Sequence, residues 1–135
     1  MPFINLKEFD YKPLNNEFNE YITQTELVYR TRKGKIIRVP KNYISDGASI
    51  PTYLWSIAGS PFTGRYVPAA FIHDYLCQRG LEGKPLCSWS DAHKIFYEAM
   101  LDNGCPKGGL KGAYVKYKAV QIGMMFKRWK YPVNK

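Results

Sequence analysis

The distribution of apolar residues changes half-way along this chain, from short β-rich runs to apolar residues at helical spacing. Residues 25–31 and 35–39 are rich in residues that favour strands, and they flank an Arg-Lys-Gly sequence at 32–34 that is typical of a hairpin turn. Pro40 ends the second run, because proline lacks the backbone donor that a strand ladder needs. The first half is therefore predicted to form a small antiparallel β-sheet or hairpin.

The second half has apolar residues at helical spacing in three stretches, at residues 69–79, 88–102 and about 110–129. Pro68 suits the start of the first helix and Gly80 its stop. Ser88 and Asp91 form the S-x-x-D sequence that begins many helices. The predicted fold class is α+β, with a small antiparallel sheet followed by a three-helix half. Between the halves, residues 41–51 resemble a structured loop and residues 49–57 a short helix.

The length of 135 residues is that of one ordinary domain, so a single domain over 1–135 is expected. The three cysteines, Cys77, Cys87 and Cys105, are odd in number and contain no C-x-x-C pair, which argues against a disulfide framework. No stretch approaches the roughly 18 consecutive apolar residues of a membrane span. The first residues also lack the apolar core of a secretory signal, so synthesis and residence in a cytoplasm are expected.

Positive charge is concentrated at the carboxyl end of the chain, which has a net charge of +9. No acidic residue follows Asp102, whereas eight basic ones do: Lys107, Lys111, Lys116, Lys118, Lys127, Arg128, Lys130 and Lys135. A basic C-terminal helix favours an anionic partner, such as nucleic acid, a phospholipid surface or an acidic protein. The alternative is a solvated basic helix without a partner.

Four polar residues are candidates for chemistry: His73, Asp91, Asp74 and Asp46. His73 lies on the apolar face of its predicted helix. Asp91 could hold one of its ring nitrogens if the next helix packs antiparallel, which would leave the other nitrogen free as a general base. Asp74 and the loop residue Asp46 would then be free to bind a hard cation through carboxylate oxygens.

Each of these residues also has a structural interpretation. Asp91 fits a capping box, and Asp46 before Gly47 fits a turn. The other histidine, His93, is interpreted as structural or exposed. If the site is real, calcium or magnesium is the favoured cation, and inclusion of His73 as a ligand would move the preference toward zinc or manganese.

The order of motifs resembles a family of small uncharacterised proteins encoded mainly by tailed phages and prophages. The shared pattern is D-G-A-S-I-P at 46–51, A-A-x-x-H-D-x-L at 69–76 and an Asp-Ala pair at 91–92 followed by Phe96. Cys77 stands where that family often has tyrosine. The resemblance implies a phage protein that is present in the host cytoplasm after synthesis, or associated with the virion and its other proteins.

The helix pair alone is similar to secreted calcium-dependent phospholipases. The similarity consists of His73-Asp74, a cysteine four residues after His73, and Asp91 at the start of the next helix. In those enzymes the histidine activates water, the adjacent aspartate binds calcium and the later aspartate orients the histidine. Their cysteine framework and calcium loop are missing from this sequence.

Three functional hypotheses follow. The first is a metal-assisted hydrolase that acts on a bacterial envelope component such as a phospholipid or peptidoglycan. The second is a non-catalytic virion or tail component, in which the polar residues form a structural network. The third is a basic protein that binds nucleic acid or a host factor.

Overall fold

The computed structural model describes residues 2–14, 20–45, 64–109 and 112–131, and it confirms the α+β class. Its strands form two small antiparallel sheets in the first half of the chain. The strands are β1 (Tyr11–Pro13), β2 (Tyr21–Thr23), β3 (Leu27–Arg30), β4 (Ile36–Val39) and β5 (Ile44–Ser45). Strands β3 and β4 form one sheet, and β1, β2 and β5 form the other, with β2 in the centre.

The predicted hairpin is confirmed as β3 and β4, which pair from Leu27 opposite Val39 to Arg30 opposite Ile36. The turn between them contains Gly34 at a φ of +89°, a conformation that glycine adopts without strain. Residues along β4 alternate between exposed and buried, as expected for a strand with one face on the core.

The three-stranded sheet was not predicted, because its strands are only two or three residues long. Thr23 secures it to the chain that connects β4 and β5. The Thr23 hydroxyl donates to the carbonyl of Pro40 at 2.8 Å and accepts from the backbone N–H of Tyr43 at 2.9 Å. Pro13 ends the edge strand β1, a position where proline costs few ladder hydrogen bonds.

Three α-helices occupy the described part of the second half: α1 (Val67–Leu81), α2 (Trp89–Asp102) and α3 (Ala113–Gly123). A single 3-10 turn, Gly64–Tyr66, precedes α1. The start of α2 is as predicted, since the Ser88 hydroxyl accepts a hydrogen bond from the backbone N–H of Asp91 at 3.1 Å. Helix α1 extends past Gly80, and α3 is shorter than predicted, ending at Gly123, a residue of low helix propensity.

The main hydrophobic core joins the β3–β4 sheet to helices α1 and α2. Tyr29 of β3 is fully buried, and its hydroxyl lies 2.8 Å from Glu98 Oε2 and 2.6 Å from Asp102 Oδ2 on α2. Arg32 adds an ion pair to Asp102 at 3.0 Å. These contacts attach α2 to the hairpin and fix the face that α2 presents to α1.

The chain after α3 returns to pack on the first two helices. The indole of Trp129 donates a hydrogen bond to the carbonyl of Cys87 at 2.9 Å, and its ring lies against Gly80. The guanidinium of Arg128 lies 4.1 Å from the ring centroid of Trp89. Lys116 departs from the expected basic surface, because it is 1% exposed and its ammonium stacks on the Tyr66 ring at 3.8 Å.

All three cysteines are free and buried. Burial is the main cause that raises the pKa of Cys87 and of Cys105 to about 11. In the described ranges, no helix combines the length and the apolar character that crossing a membrane requires. The predicted short helix at 49–57 and most of the predicted loop at 41–51 lie outside the described residues.

Candidate metal centre

Two histidines and one cysteine meet where α1 packs against α2. His73 and Cys77 are four residues apart on α1, so their side chains lie on the same face of that helix. His93 approaches them from α2. All three side chains are buried, with exposed fractions of 2% for His73, 3% for Cys77 and 0% for His93. The cluster is therefore built by the packing of two helices and not by one local motif.

The potential ligand atoms of these residues converge. His73 Nε2 lies 2.8 Å from His93 Nδ1 and 3.4 Å from Cys77 Sγ. One ligand atom from each residue lies within 4.8 Å of the other two. Among the described residues this is the single group of three or more metal-ligating side chains that meets this condition.

Aromatic rings surround the cluster. The ring centroids of Phe96 and His73 are 4.7 Å apart, and those of Trp89 and His93 are 4.3 Å apart in an edge-to-face arrangement. Burial, and then the neighbouring His93, hold the pKa of His73 well below 6.5. Burial, and then the charge of Arg128, lower the pKa of His93 to about 4. Both imidazoles are therefore neutral near pH 7, which is the form that binds metal ions.

The hydrogen bonds of the cluster are incomplete. One proton can satisfy the contact between His73 Nε2 and His93 Nδ1, but among the described residues the buried His93 Nε2 has no hydrogen-bond partner. A buried ring nitrogen of this kind costs stability when nothing pairs with it. Nε2 is not the His93 nitrogen that meets His73, so its missing partner is separate from the convergence of the ligand atoms.

One of the two distances in the cluster suits a tetrahedral ion. Around zinc, with Zn–N of about 2.0–2.1 Å and Zn–S of about 2.3 Å, neighbouring ligand atoms lie about 3.3–3.6 Å apart. The contact between His73 and Cys77 falls in this range at 3.4 Å, and the two histidine nitrogens are closer at 2.8 Å. For zinc to bind, these two nitrogens would have to move apart by roughly 0.5 Å.

Asp74, a predicted metal ligand, lies on α1 beside His73 but takes part in a different set of contacts. The hydroxyl of Tyr43 donates to Asp74 Oδ2 at 2.9 Å and also contacts the side chain of Gln78. Gln78 in turn donates to Glu82 at 3.3 Å. Burial, and then the charge of Asp74, raise the pKa of Tyr43 above its usual value. These contacts join the chain before β5 to α1.

Asp91 does not occupy the position predicted for it. The hydrogen-bond partners of His73 in the described chain are His93 and Cys77, and Asp91 is not one of them. The reason is geometric, because Asp91 is two residues before His93, about 200° around the helix. Asp91 instead lines a cleft of about 270 Å³ with lysines of the hairpin turn and of α2: Lys33, Lys35 and Lys94. The catalytic roles assigned to His73 and Asp91 stay predictions, without this contact to support them.

Asp46 lies outside the described residues, so the predicted approach of its loop to His73 or Asp74 stays a prediction. His93 was predicted to be structural or exposed, and the structure shows it fully buried at the cluster. The sequence did contain one usable signal, namely the spacing of four between His73 and Cys77. Nothing local linked these residues to His93, which is 20 positions after His73.

A family model described as "Protein of unknown function (DUF1353)" matches residues 22–120, most of the 135-residue chain. The chain belongs to the DUF1353 family. His73, Cys77 and His93 all lie inside the DUF1353 match, as does the β3–β4 hairpin.

Two curated relatives come from Sinorhizobium fredii (strain NBRC 101917 / NGR234). The uncharacterized protein y4jT is 42% identical over 76 residues, which are 56% of this DUF1353 chain and 21% of y4jT. The uncharacterized protein y4iH is 37% identical over 89 residues, which are 66% of this chain and 33% of y4iH. The chain thus spans about a fifth to a third of the length of these relatives. No solved structure matches it.

Proposed function

We propose that this chain is a zinc-binding protein that uses the metal for hydrolysis, with His73, Cys77 and His93 as the protein ligands. The observation that supports the proposal is the convergence of one ligand atom from each residue within 4.8 Å, between two helices. The ligand set differs from the one expected from the sequence, which was Asp46 and Asp74 with calcium or magnesium.

The chemistry of the donor atoms selects the metal. Two imidazole nitrogens and one sulfur are ligands for zinc and related transition metals, whereas calcium and magnesium prefer oxygen. Both imidazoles have low pKa values and are unprotonated near pH 7, so a metal ion would not have to displace a proton from them. Calcium or magnesium would require the carboxylates of Asp46 and Asp74, and the Tyr43 hydroxyl already bonds to Asp74.

Hydrolysis is proposed from the number of ligands. Catalytic zinc sites have three protein ligands and an open fourth position, where the ion supplies Lewis acidity and lowers the pKa of water to about 7. The described residues offer three ligands. In this arrangement His73 holds the metal and is not a general base, and water would have to pass the Phe96 and Trp89 rings to reach the fourth position.

The biological setting is part of the same proposal. The motif pattern at residues 46–51, 69–76 and 91–96 supports an origin in a tailed phage or prophage. The proposed ligand set differs from the one that the calcium-dependent phospholipases imply, so a substrate in the bacterial envelope is proposed from the phage origin. Hydrolysis of a phospholipid or of peptidoglycan is therefore the reaction to test first.

A second candidate is a non-catalytic metal centre in a virion or tail component. The observation that favours it is burial, since all three side chains are at most 3% exposed. A sealed centre would join α1 to α2 and stabilise the fold, as structural zinc sites do. The two candidates share the ligands and differ in whether a small molecule can reach the metal.

Cobalt substitution tests both the identity of the ligands and whether a small molecule can reach the metal. Purified protein is stripped of metal, titrated with Co²⁺ and followed by absorption. We expect one equivalent to bind with a sulfur-to-cobalt charge-transfer band, because Cys77 is a ligand. Cys77→Ser should lose that band, and His93→Gln should weaken binding by more than about a hundredfold, since even residues that only support a ligand contribute 10–100-fold. Cys105→Ser, which also removes a buried thiol, is the matched control.

The access test uses azide added to the cobalt protein. A change in the visible bands would show an open coordination position and support hydrolysis, and an unchanged spectrum would favour the structural centre. If Cys77→Ser and the wild type give the same spectrum, the proposed ligand set is wrong. Stabilisation by calcium that is lost in Asp74→Asn, without stabilisation by zinc, would restore the carboxylate site expected from the sequence.

A further inference from the structure

The turn that follows α3 exposes a group of large apolar side chains. Ile122, Met125 and Phe126 are 53%, 46% and 93% exposed. Isolated exposed apolar residues are common, but three within five positions at the end of one helix concentrate apolar surface in one short segment. We call these three residues the apolar tip.

The apolar tip is surrounded by positive charge. Lys118, Lys127 and Lys130 are exposed on the same stretch of chain, and no acidic residue occurs in the sequence after Asp102. Arg128 is not counted with these lysines, because its guanidinium stacks on Trp89. The lysines therefore give this surface a strong positive potential that no acidic residue nearby in the sequence offsets.

Contacts on both sides of the apolar tip hold this part of the chain in place. Met124, the residue between Gly123 and Met125, is buried, and its carbonyl accepts a hydrogen bond from the Trp89 indole at 3.2 Å. Three residues after Phe126, the Trp129 ring packs against Gly80. Anchors on both sides hold the turn, so Phe126 points outward because its neighbours are fixed. A surface that is already ordered loses little conformational entropy on binding.

We propose that the apolar tip and its lysines dock this protein on an anionic phospholipid surface. Apolar side chains flanked by lysine are the composition of interfacial membrane-binding segments, in which the apolar groups enter the acyl boundary and the ammonium groups meet lipid phosphates. A nucleic acid would satisfy the lysines and could stack on Phe126. It would give the aliphatic Ile122 and the Met125 side chain no comparable apolar environment. The proposal does not rest on the metal centre.

Co-sedimentation with lipid vesicles tests the proposal on the full chain. We expect binding to vesicles of phosphatidylglycerol and phosphatidylcholine, and little binding to vesicles of phosphatidylcholine alone. Phe126→Ser should reduce the partition coefficient about tenfold or more, because most of the aromatic side chain would otherwise leave water on docking. Lys127→Glu combined with Lys130→Glu should reduce it at least as much, and added salt should weaken wild-type binding.

Two matched controls separate local from general effects. Ile36→Ser changes another exposed apolar residue, 41% exposed on the β3–β4 hairpin. Lys12→Glu with Lys41→Glu makes the same change of charge at exposed positions of the N-terminal half. Both should keep wild-type binding, and circular dichroism should show that every variant is folded.

Equal binding to neutral and anionic vesicles, or none to either, would overturn the proposal. So would vesicle binding that Phe126→Ser leaves unchanged, because charge alone would then explain it. Tight binding to single- or double-stranded DNA with no affinity for anionic vesicles would assign the surface to nucleic acid instead.

Discussion

The indole ring of Trp129 occupies the space that a β-carbon on Gly80 would need. Gly80 lies inside α1, where glycine is normally unfavourable, and its missing side chain lets the C-terminal segment lie directly on the helix backbone. Helix propensity alone predicts that Gly80→Ala would stabilise the protein by about 1 kcal/mol. Steric overlap with Trp129 predicts instead that Gly80→Ala destabilises the protein.

We expect the overlap to dominate, because a β-carbon would meet several atoms of one rigid ring. Gly80→Ala should lower the free energy of unfolding by about 1–3 kcal/mol, as overpacked sites do, and Trp129 fluorescence should shift toward that of exposed indole. Gly108→Ala, where a β-carbon meets no atom of the described residues within 4 Å, should change stability by less than about 0.5 kcal/mol. A stabilised Gly80→Ala protein would show that Trp129 does not pack there in solution.

A second prediction concerns Tyr29. Its hydroxyl lies within hydrogen-bond distance of two largely buried carboxylates, Glu98 and Asp102, which share its one proton and whose side chains are 16% and 12% exposed. Tyr29→Phe keeps the ring and leaves these acceptors with fewer donors, so urea unfolding should show a loss of about 1–3 kcal/mol. Tyr114→Phe, at a 47% exposed ring, is the control and should unfold like the wild type. Equal stability of Tyr29→Phe would mean that water replaces the hydroxyl at little cost.

The stability of the metal-free protein should depend on pH because of His93. Its pKa is lowered from 6.5 to about 4, mainly by burial. Between these values the unfolded chain binds more protons than the folded one, so the free energy of unfolding falls as pH falls from about 6.5 to about 4. His73, whose pKa is also lowered by burial, contributes in the same direction.

The measurement is urea unfolding in the presence of a chelator across that pH window. His93→Gln should have a smaller pH dependence than the wild type, because one of the two buried imidazoles is gone. The same dependence in both proteins would place the titrating groups elsewhere. Well above pH 6.5, where histidine is neutral in both states, this contribution should no longer change.

Asn5 provides a fourth prediction. Its side-chain amide donates to the carbonyl of Glu26 at 2.6 Å, and its side-chain oxygen accepts from the N–H of Val28 at 2.9 Å. Asn5→Ala would remove both bonds beside β3 and should cost about 1–3 kcal/mol. Asn5→Asp can still accept from Val28 but cannot donate to Glu26, so it should be intermediate or equally unstable. Faster amide exchange at Val28 in Asn5→Ala would confirm the cause by NMR.

Local signals in the sequence explain which parts of the fold could be predicted. The hairpin follows from two β-rich runs around Gly34, and the start of α2 follows from Ser88, whose hydroxyl caps the helix. Strands β1, β2 and β5 were missed because elements of two or three residues carry little pattern. Their position depends on contacts with distant chain, such as those of Thr23 with Pro40 and Tyr43.

The candidate site was predicted only in part, for a related reason. His73 was identified from its place on an apolar helix face, but the partner assigned to it was an acid, Asp91. The angle at which α2 meets α1 decides which residue of α2 reaches His73, and no local pattern encodes that angle. The structure selects His93, at the cost of one unpaired ring nitrogen.

The buried thiols give this protein an internal reporter of its own opening motions. Cys87 and Cys105 lie at opposite ends of α2, and each has a pKa near 11, so neither is a good nucleophile toward alkylating reagents in the native state. Each thiol can therefore be alkylated only after the fold around it opens and exposes it. If Cys87 reacts before Cys105, the segment around Trp129 detaches on its own. Equal rates would mean that α2 is released at both ends in one cooperative step.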